Sequence, residues 1–217
     1  MPRTAKPKPP APTLVLLVRH GLTPTTGKTL PGRAKGLHLS DKGREQAEAA
    51  AARIAPLAKV GAIYASPLER TRETAAPIAK ARGIAVKVER GLLECDFGDW
   101  TGAELKALNK LPEWTTVQRY PSGFRFPGGE SFTEMQTRIV STLGTIAARH
   151  PGETVVAVSH ADPIKAAVAH ALGTHLDLFQ RIVISPCSIT AILYTAGGPA
   201  VLAVNTTGGD LAGLVLS

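Results

Sequence analysis

The chain has 217 residues, of which 44% are hydrophobic and 19% charged, with a formal net charge of +8. That length suggests one large domain able to bury a core without disulfides or metals, and the composition excludes a mainly disordered chain. The longest aliphatic run, residues 14–18, is far shorter than the ~20 residues a membrane span needs.

Residues 1–13 (MPRTAKPKPPAPT) hold five prolines and three of the cations, Arg3, Lys6 and Lys8. They read as a disordered basic arm, leaving 14–217 as the folded domain. No apolar stretch with a small-residue cleavage site follows the basic N-terminus, so a secretory leader is not expected. The two cysteines, Cys95 and Cys187, form neither a disulfide framework nor a metal-ligand spacing, and a reducing cytoplasm is the expected location.

Strand–helix alternation begins at residue 14. Residues 14–18 are continuously apolar, the pattern of a strand buried on both faces. Ser40 caps a helix predicted over 41–58, with Ala47, Ala50, Ala51, Ile54 and Leu57 at helical spacing. Residues 62–65 form a second short strand. Ser66 reads as the N-cap of the next helix, with Pro67 at its first position and Glu69 completing a capping box. Residues 84–94 contain a third extended segment. Thr101 with Glu104 predicts a cap and a short helix. Ser131 and Glu134 predict a further capping box ahead of Met135, Ile139, Leu143 and Ile146. Residues 154–159 (TVVAVS) are a fourth buried strand, and Asp162-Pro163 starts a helix that Gly173 ends. Residues 189–194 and 200–205 flank Gly197-Gly198 and read as a hairpin. The whole predicts an α/β fold of three layers, with a mainly parallel central sheet and helices on both faces. In such a fold the ligand crevice lies at the strands' C-terminal ends.

Chemistry-bearing residues collect at those ends. The first strand ends in Arg19-His20-Gly21. Ser66 follows the second, with Arg70 in the first turn of its helix. The third ends near Glu94, and the fourth in His160. Two imidazoles, two guanidiniums and a carboxyl suit phosphoryl transfer through histidine. A neutral imidazole is a nucleophile, guanidiniums hold phosphate oxygens in pairs, and a protonated carboxyl supplies the departing alkoxide with a proton.

The spacing resembles that of the histidine phosphatase, or phosphoglycerate mutase-like, superfamily. Leu16-Leu17-Val18-Arg19-His20-Gly21-Leu22-Thr23 resembles its strand-RHGxT signature. Residues 66–75 (SPLERTRETA) resemble SxLxRAxxTA, with Thr71 where Ala is usual. Leu93-Glu94 with residues 98–102 (GDWTG), residues 127–131 (PGGES) and Val158-Ser159-His160 resemble three further segments in the family's order. The resemblance implies that His20 is the nucleophile and becomes phosphohistidine. It implies that Arg19, Arg70 and His160 form the phosphate pocket, with the backbone N–H of Ala161 as a further donor. Glu94 would protonate the leaving group and then activate water. Gly21, Thr23 and Thr26 join Ala161 as the expected substrate-binding set. Thr26 stands where the family usually has Asn, and a polar contact from Arg33 or Lys35 is not assigned. No metal and no other cofactor is implied, since the arginines and His160 hold the charge.

Gly21 to Thr29 ends in GKT after a strand, like a phosphate-binding NTPase loop. It has five residues between its glycines where four are needed, and Leu22 occupies the required glycine position. A cysteine phosphatase needs Arg six residues after its nucleophile, and Thr101 and Leu193 stand there. His170 and His175 are five apart, not the four of a metal pair on one helical face. Nucleic-acid binding is not expected, because the cations outside the arm are scattered without aromatic interleaving. A membrane partner is not expected either. The partner expected is a small phosphorylated metabolite, with the last hairpin offering an edge for a homodimer.

Seven of the ten aromatic residues fall between Phe97 and Phe132. Residues 97–132 are expected to form an insert capping the site, with Trp114, Phe124 and Phe126 selecting the substrate. A satellite core under the insert is the plainer reading, and it is preferred for Trp100 and Phe132. The expected activity is metal-independent phosphomonoester hydrolysis. A mutase-type phosphoryl transfer and a non-catalytic phospholigand-binding module are the alternatives.

Overall fold

The computed structural model describes residues 10–214. Most of the predicted basic arm, residues 1–9, therefore lies outside the described residues. Thr13, assigned to that arm from the sequence, instead opens the first strand. It is buried, and its hydroxyl lies within hydrogen-bond reach of the Ala147 and His150 carbonyls.

Six strands form one sheet: β1 (Thr13–Arg19), β2 (Val60–Ala65), β3 (Val86–Val88), β4 (Thr154–Ser159), β5 (Ile189–Thr195) and β6 (Gly198–Thr206), in the order β3-β2-β4-β1-β5-β6. The first four of that order are mutually parallel, and β5 and β6 add an antiparallel hairpin at one edge. The apolar run of β1 explains its central place. Val15 and Leu17 join one core beneath α5 (Phe132–Arg149) and α6 (Ala161–Ala171). Leu14, Leu16 and Val18 join the other, against α1 (Asp41–Ile54) and α2 (Glu69–Arg82). A strand with apolar side chains on both faces has no wet side, so it must lie between two helical layers.

The local signals are met unevenly. Ser40 caps α1, but that helix ends at Ile54, short of the predicted 58. Ser131 and Glu134 form the predicted capping box on α5, a device worth about 1 kcal/mol. Ser66 does not cap α2. That helix starts at Glu69 with Leu68 as its flanking residue, and no side chain caps it. The Ser66 hydroxyl is drawn away to His160 instead. Thr71 makes up the turn, its hydroxyl lying 2.7 Å from the Ser66 and Leu68 carbonyls. Thr101 is likewise not a cap, since the short α3 (Leu105–Leu108) begins after Glu104. The third extended segment is a strand only over Val86–Val88. It then turns through a 3-10 segment, Arg90–Leu92, so Glu94 stands in irregular chain and not at a strand end.

Residues 97–132 carry α3 and α4 (Pro112–Arg119). Trp100, Phe124, Phe126 and Phe132 stack in sequence at centroid separations of 5.0 to 5.6 Å, and Trp114 lies 6.2 Å from Trp100. This aromatic column runs on through Phe132 to Phe179, joining the segment to the core beneath α5.

Candidate active site

The register of the parallel pair sets the first contact. Arg19 of β1 lies opposite Ser159 of β4, so the next residues, His20 and His160, emerge side by side. The His20 N–H donates to the Ser159 carbonyl at 3.0 Å, and the two ring centroids are 5.3 Å apart at 62°. The Ser66 N–H donates to the Val158 carbonyl, which brings the end of β2 to the same edge.

Around this pair the side chains are buried. Arg70 and His160 are fully buried, and His20 and Glu94 are nearly so. The His20 Nδ1 lies 2.8 Å from the Gly21 carbonyl. A carbonyl only accepts, so the neutral ring carries its proton on Nδ1 and leaves Nε2 with a free lone pair. Burial first, then the charges of Arg70 and Arg19, lower the His20 pKa to about 3 and keep the ring neutral at physiological pH. His160 is held neutral for the same reasons, its Nε2 lying 2.9 Å from the Ser66 hydroxyl.

The guanidiniums are only partly satisfied. Arg70 donates from one terminal nitrogen to the Gly32 carbonyl at 2.7 Å, while its Nε and other terminal nitrogen have no partner. Arg19 donates to the Ile184 carbonyl at 2.6 Å and its Nε is unpaired. His160 Nδ1 is a further buried polar atom without a partner. Buried donors are almost always paired, so this group marks a place made for an acceptor with several oxygens.

A cleft of about 390 Å³ opens over these groups. Arg19, His20, Thr23, Thr26, Glu94 and Ala161 line it, so most of the expected site residues meet at one place. Arg70 and His160 are fully buried and are not among the residues that line it. Gly21 does not line the cleft. Its N–H donates to the Thr74 hydroxyl and its carbonyl serves His20, so it backs the imidazole. A side chain at Gly21 would place its Cβ 2.5 Å from the Gly43 carbonyl oxygen, which explains the glycine. Thr26 turns back onto the loop, its hydroxyl accepting the Thr23 N–H at 2.9 Å. Ala161 is the first residue of α6, where N–H groups lack intrahelical acceptors.

Burial and the nearby Asp162 raise the Glu94 pKa to about 7, against the opposing pull of the Cys95 N–H, Arg70 and Arg19. A carboxyl poised there can give or take a proton near neutral pH. The sequence places Asp162 at a helix start, after a strand in the manner of an NTPase's acidic residue, and gives it no part in the phosphatase site. Asp162 lines the same cleft and pairs with Lys165 at 3.2 Å, and Lys165 in turn donates to Gln180 at 3.0 Å. Nothing in their spacing distinguished them from an ordinary i,i+3 surface pair. Among the described residues, no group of three or more His, Cys, Asp or Glu is placed to hold a metal ion.

The family profile described as the histidine phosphatase superfamily, branch 1, matches residues 15–207. The chain belongs to that superfamily. Relatives of the chain include "Bifunctional protein Rv2228c" of Mycobacterium tuberculosis, 33% identical over 91% of this chain and 55% of that protein. The chain thus spans about half the length of this relative. "Phosphoserine phosphatase 1" of Hydrogenobacter thermophilus is 33% identical over 81% of this chain and 85% of that protein. The solved structure of a phosphoserine phosphatase from Entamoeba histolytica in complex with 3-phosphoglyceric acid has a TM-score of 0.80. It is 26% identical and covers 89% of this chain and 97% of that one. The phosphoglycerate mutase-like fold predicted from the sequence is therefore the observed one.

Proposed function

We propose that this chain hydrolyses small phosphomonoesters through a phosphohistidine on His20. The observation that carries the reading is the buried set of unpaired donors on Arg19, Arg70 and His160 beside an imidazole whose Nε2 is free. In the first step Nε2 of His20 attacks phosphorus and the bond to the ester oxygen breaks. The Glu94 proton passes to the departing oxygen, which leaves as the alcohol. In the second step water attacks the phosphohistidine, its proton returns to Glu94, and orthophosphate leaves. Arg19, Arg70, His160 and the Ala161 N–H hold the three non-bridging oxygens, whose charge grows in the transition state. Thr23 and Thr26 form the rim beside them, and Gly21 keeps His20 in the reactive tautomer.

The relatives' printed substrates, phosphoserine and 3-phosphoglyceric acid, support a small phosphorylated metabolite as the class of substrate here. From the segment 97–132, the cleft is lined by Phe97 and Leu105, which supports a role as one wall of the site. Phe124 and Phe126 stack on one another and on Trp100, Trp114 stacks on Trp100 alone, and these rings are read as its support. The buried free thiols of Cys95 and Cys187 support a reducing, cytoplasmic setting. Among the described residues no helix is long and apolar enough to cross a membrane. Exposed Leu202 and Val204 on edge strand β6 support a homodimer through that edge, to be decided by sedimentation.

The test is a phosphomonoester panel assayed with a chelator present. Release of orthophosphate unaffected by the chelator is expected. Turnover that needs added divalent metal, or none on any ester, overturns the reading.

The Glu94 pKa gives a second expectation. Glu94 must be protonated to act on the ester, so kcat/KM falls as pH rises above about 7. Asp162 raises that pKa, so Asp162→Asn moves the falling limb to lower pH. The variant then loses activity at pH 8 several-fold more than the parent does, relative to pH 6. A limb that stays in place in a pH–rate profile refutes the assignment.

A further inference from the structure

Glu94 has no strand to carry it to the cleft. The segment after β3 is irregular beyond its 3-10 turn, and its carbonyls lack sheet partners. Three of them accept from one side chain. Arg138, on α5, donates from one terminal nitrogen to the Gly91 and Leu93 carbonyls at 2.9 and 2.8 Å, and from the other to the Glu94 carbonyl at 3.2 Å. Arg33 reaches the same Glu94 carbonyl, its Nε donating at 2.9 Å. The Glu94 carboxyl is held more sparingly, Oε1 accepting the Cys95 N–H at 2.9 Å. Its place over the cleft therefore follows its backbone.

Glu130 ties the two guanidiniums together. Its Oε1 accepts from Arg138 Nε at 2.9 Å. Its Oε2 lies 2.9 Å from Arg138, 2.8 Å from Arg33 and 3.0 Å from the Asp96 N–H. Arg33 also pairs with Asp96 at 3.2 Å, so two cations face two carboxylates. Gly32, the neighbour of Arg33, accepts from Arg70, which links the clamp to the phosphate pocket.

We propose that Arg138, anchored by Glu130 and doubled by Arg33, is a positioning residue that fixes Glu94 for proton transfer. The inference rests on the reading of Glu94 as general acid. The clamp acts through placement and not through charge. The largest causes of the Glu94 pKa are burial, Asp162, the Cys95 N–H, Arg70 and Arg19, and neither guanidinium of the clamp is among them. Lysine in place of Arg138 keeps the charge but, as a point donor, cannot span three carbonyls and Glu130 at once.

The leaving group separates this from a merely structural role. An alkoxide needs the proton from Glu94, whereas p-nitrophenolate departs without it. The measurement is kcat/KM on p-nitrophenyl phosphate and on the alkyl phosphomonoester the parent turns over best. A displacement of about 1 Å costs on the order of 10²-fold, so Arg138→Lys should lose about that on the alkyl ester. On p-nitrophenyl phosphate the loss should stay within about 3-fold, and on the alkyl ester the falling pH limb should stay where it is in the parent. Arg33→Met should show the same selective loss at smaller size, and it carries the test if Arg138→Lys fails to fold. Glu94→Gln is the reference. If it lacks the selective loss, the general-acid reading fails. If it shows that loss while Arg138→Lys and Arg33→Met reduce both esters equally, or neither, the clamp is overturned alone.

Discussion

His20→Ala should lower phosphomonoester hydrolysis by about 10⁴-fold or more, the scale of losing a nucleophile outright. Its fold should survive, because the ring's hydrogen bond is to the adjacent Gly21 carbonyl and its N–H stitch to Ser159 is backbone. Orthophosphate should still bind, since Arg19, Arg70 and His160 keep their unpaired donors. Rapid quenching of the parent with labelled substrate should trap acid-labile phosphate on the chain, and the variant should trap none. That combination distinguishes an enzyme from a phospholigand-binding module, which would bind in both forms and turn over in neither. Parent-level hydrolysis by the variant would remove His20 from the mechanism.

Much of this arrangement is legible in the sequence because it is local or periodic. The apolar run of β1 fixes a two-faced burial, and the register of two parallel strands then places His20 beside His160 without any further information. The capping box at Ser131 and Glu134 is likewise a matter of four consecutive positions. Ser66 shows the limit. Its hydroxyl is suited equally to a helix start and to a distant imidazole, and only the fold decides that His160 takes it. Glu94 shows another. Extended sequence around it reads as a strand, yet ladder pairing stops at Val88, and the chain is held instead by guanidiniums from distant segments. Arginines 33 and 138 carry no spacing that announces such a task. Asp162 is missed for the same reason, since its effect on Glu94 is charge repulsion between residues far apart in the sequence.

Arg70→Met should abolish most activity, by about 10³-fold, while leaving the unliganded protein as stable as the parent or more so. The guanidinium is fully buried with two nitrogens unpaired, and burial pulls its pKa down, so the folded state bears a desolvated cation it does not fully satisfy. Replacing such charge by an apolar side chain of similar length is often neutral or stabilising. The loss to set against this is one bond to the Gly32 carbonyl, about 1 kcal/mol. Ligand reverses the order. Orthophosphate or vanadate at a hundred times its Kd stabilises the parent by about 2.7 kcal/mol, which raises Tm by roughly 5–10 °C in a chain of this size. The variant should show little of that rise, since the donors that would meet the anion are gone. Thermal unfolding of both proteins with and without vanadate measures the two effects together. A variant that melts well below the unliganded parent, yet keeps the ligand-induced rise, would place Arg70 in the scaffold and outside the phosphate pocket.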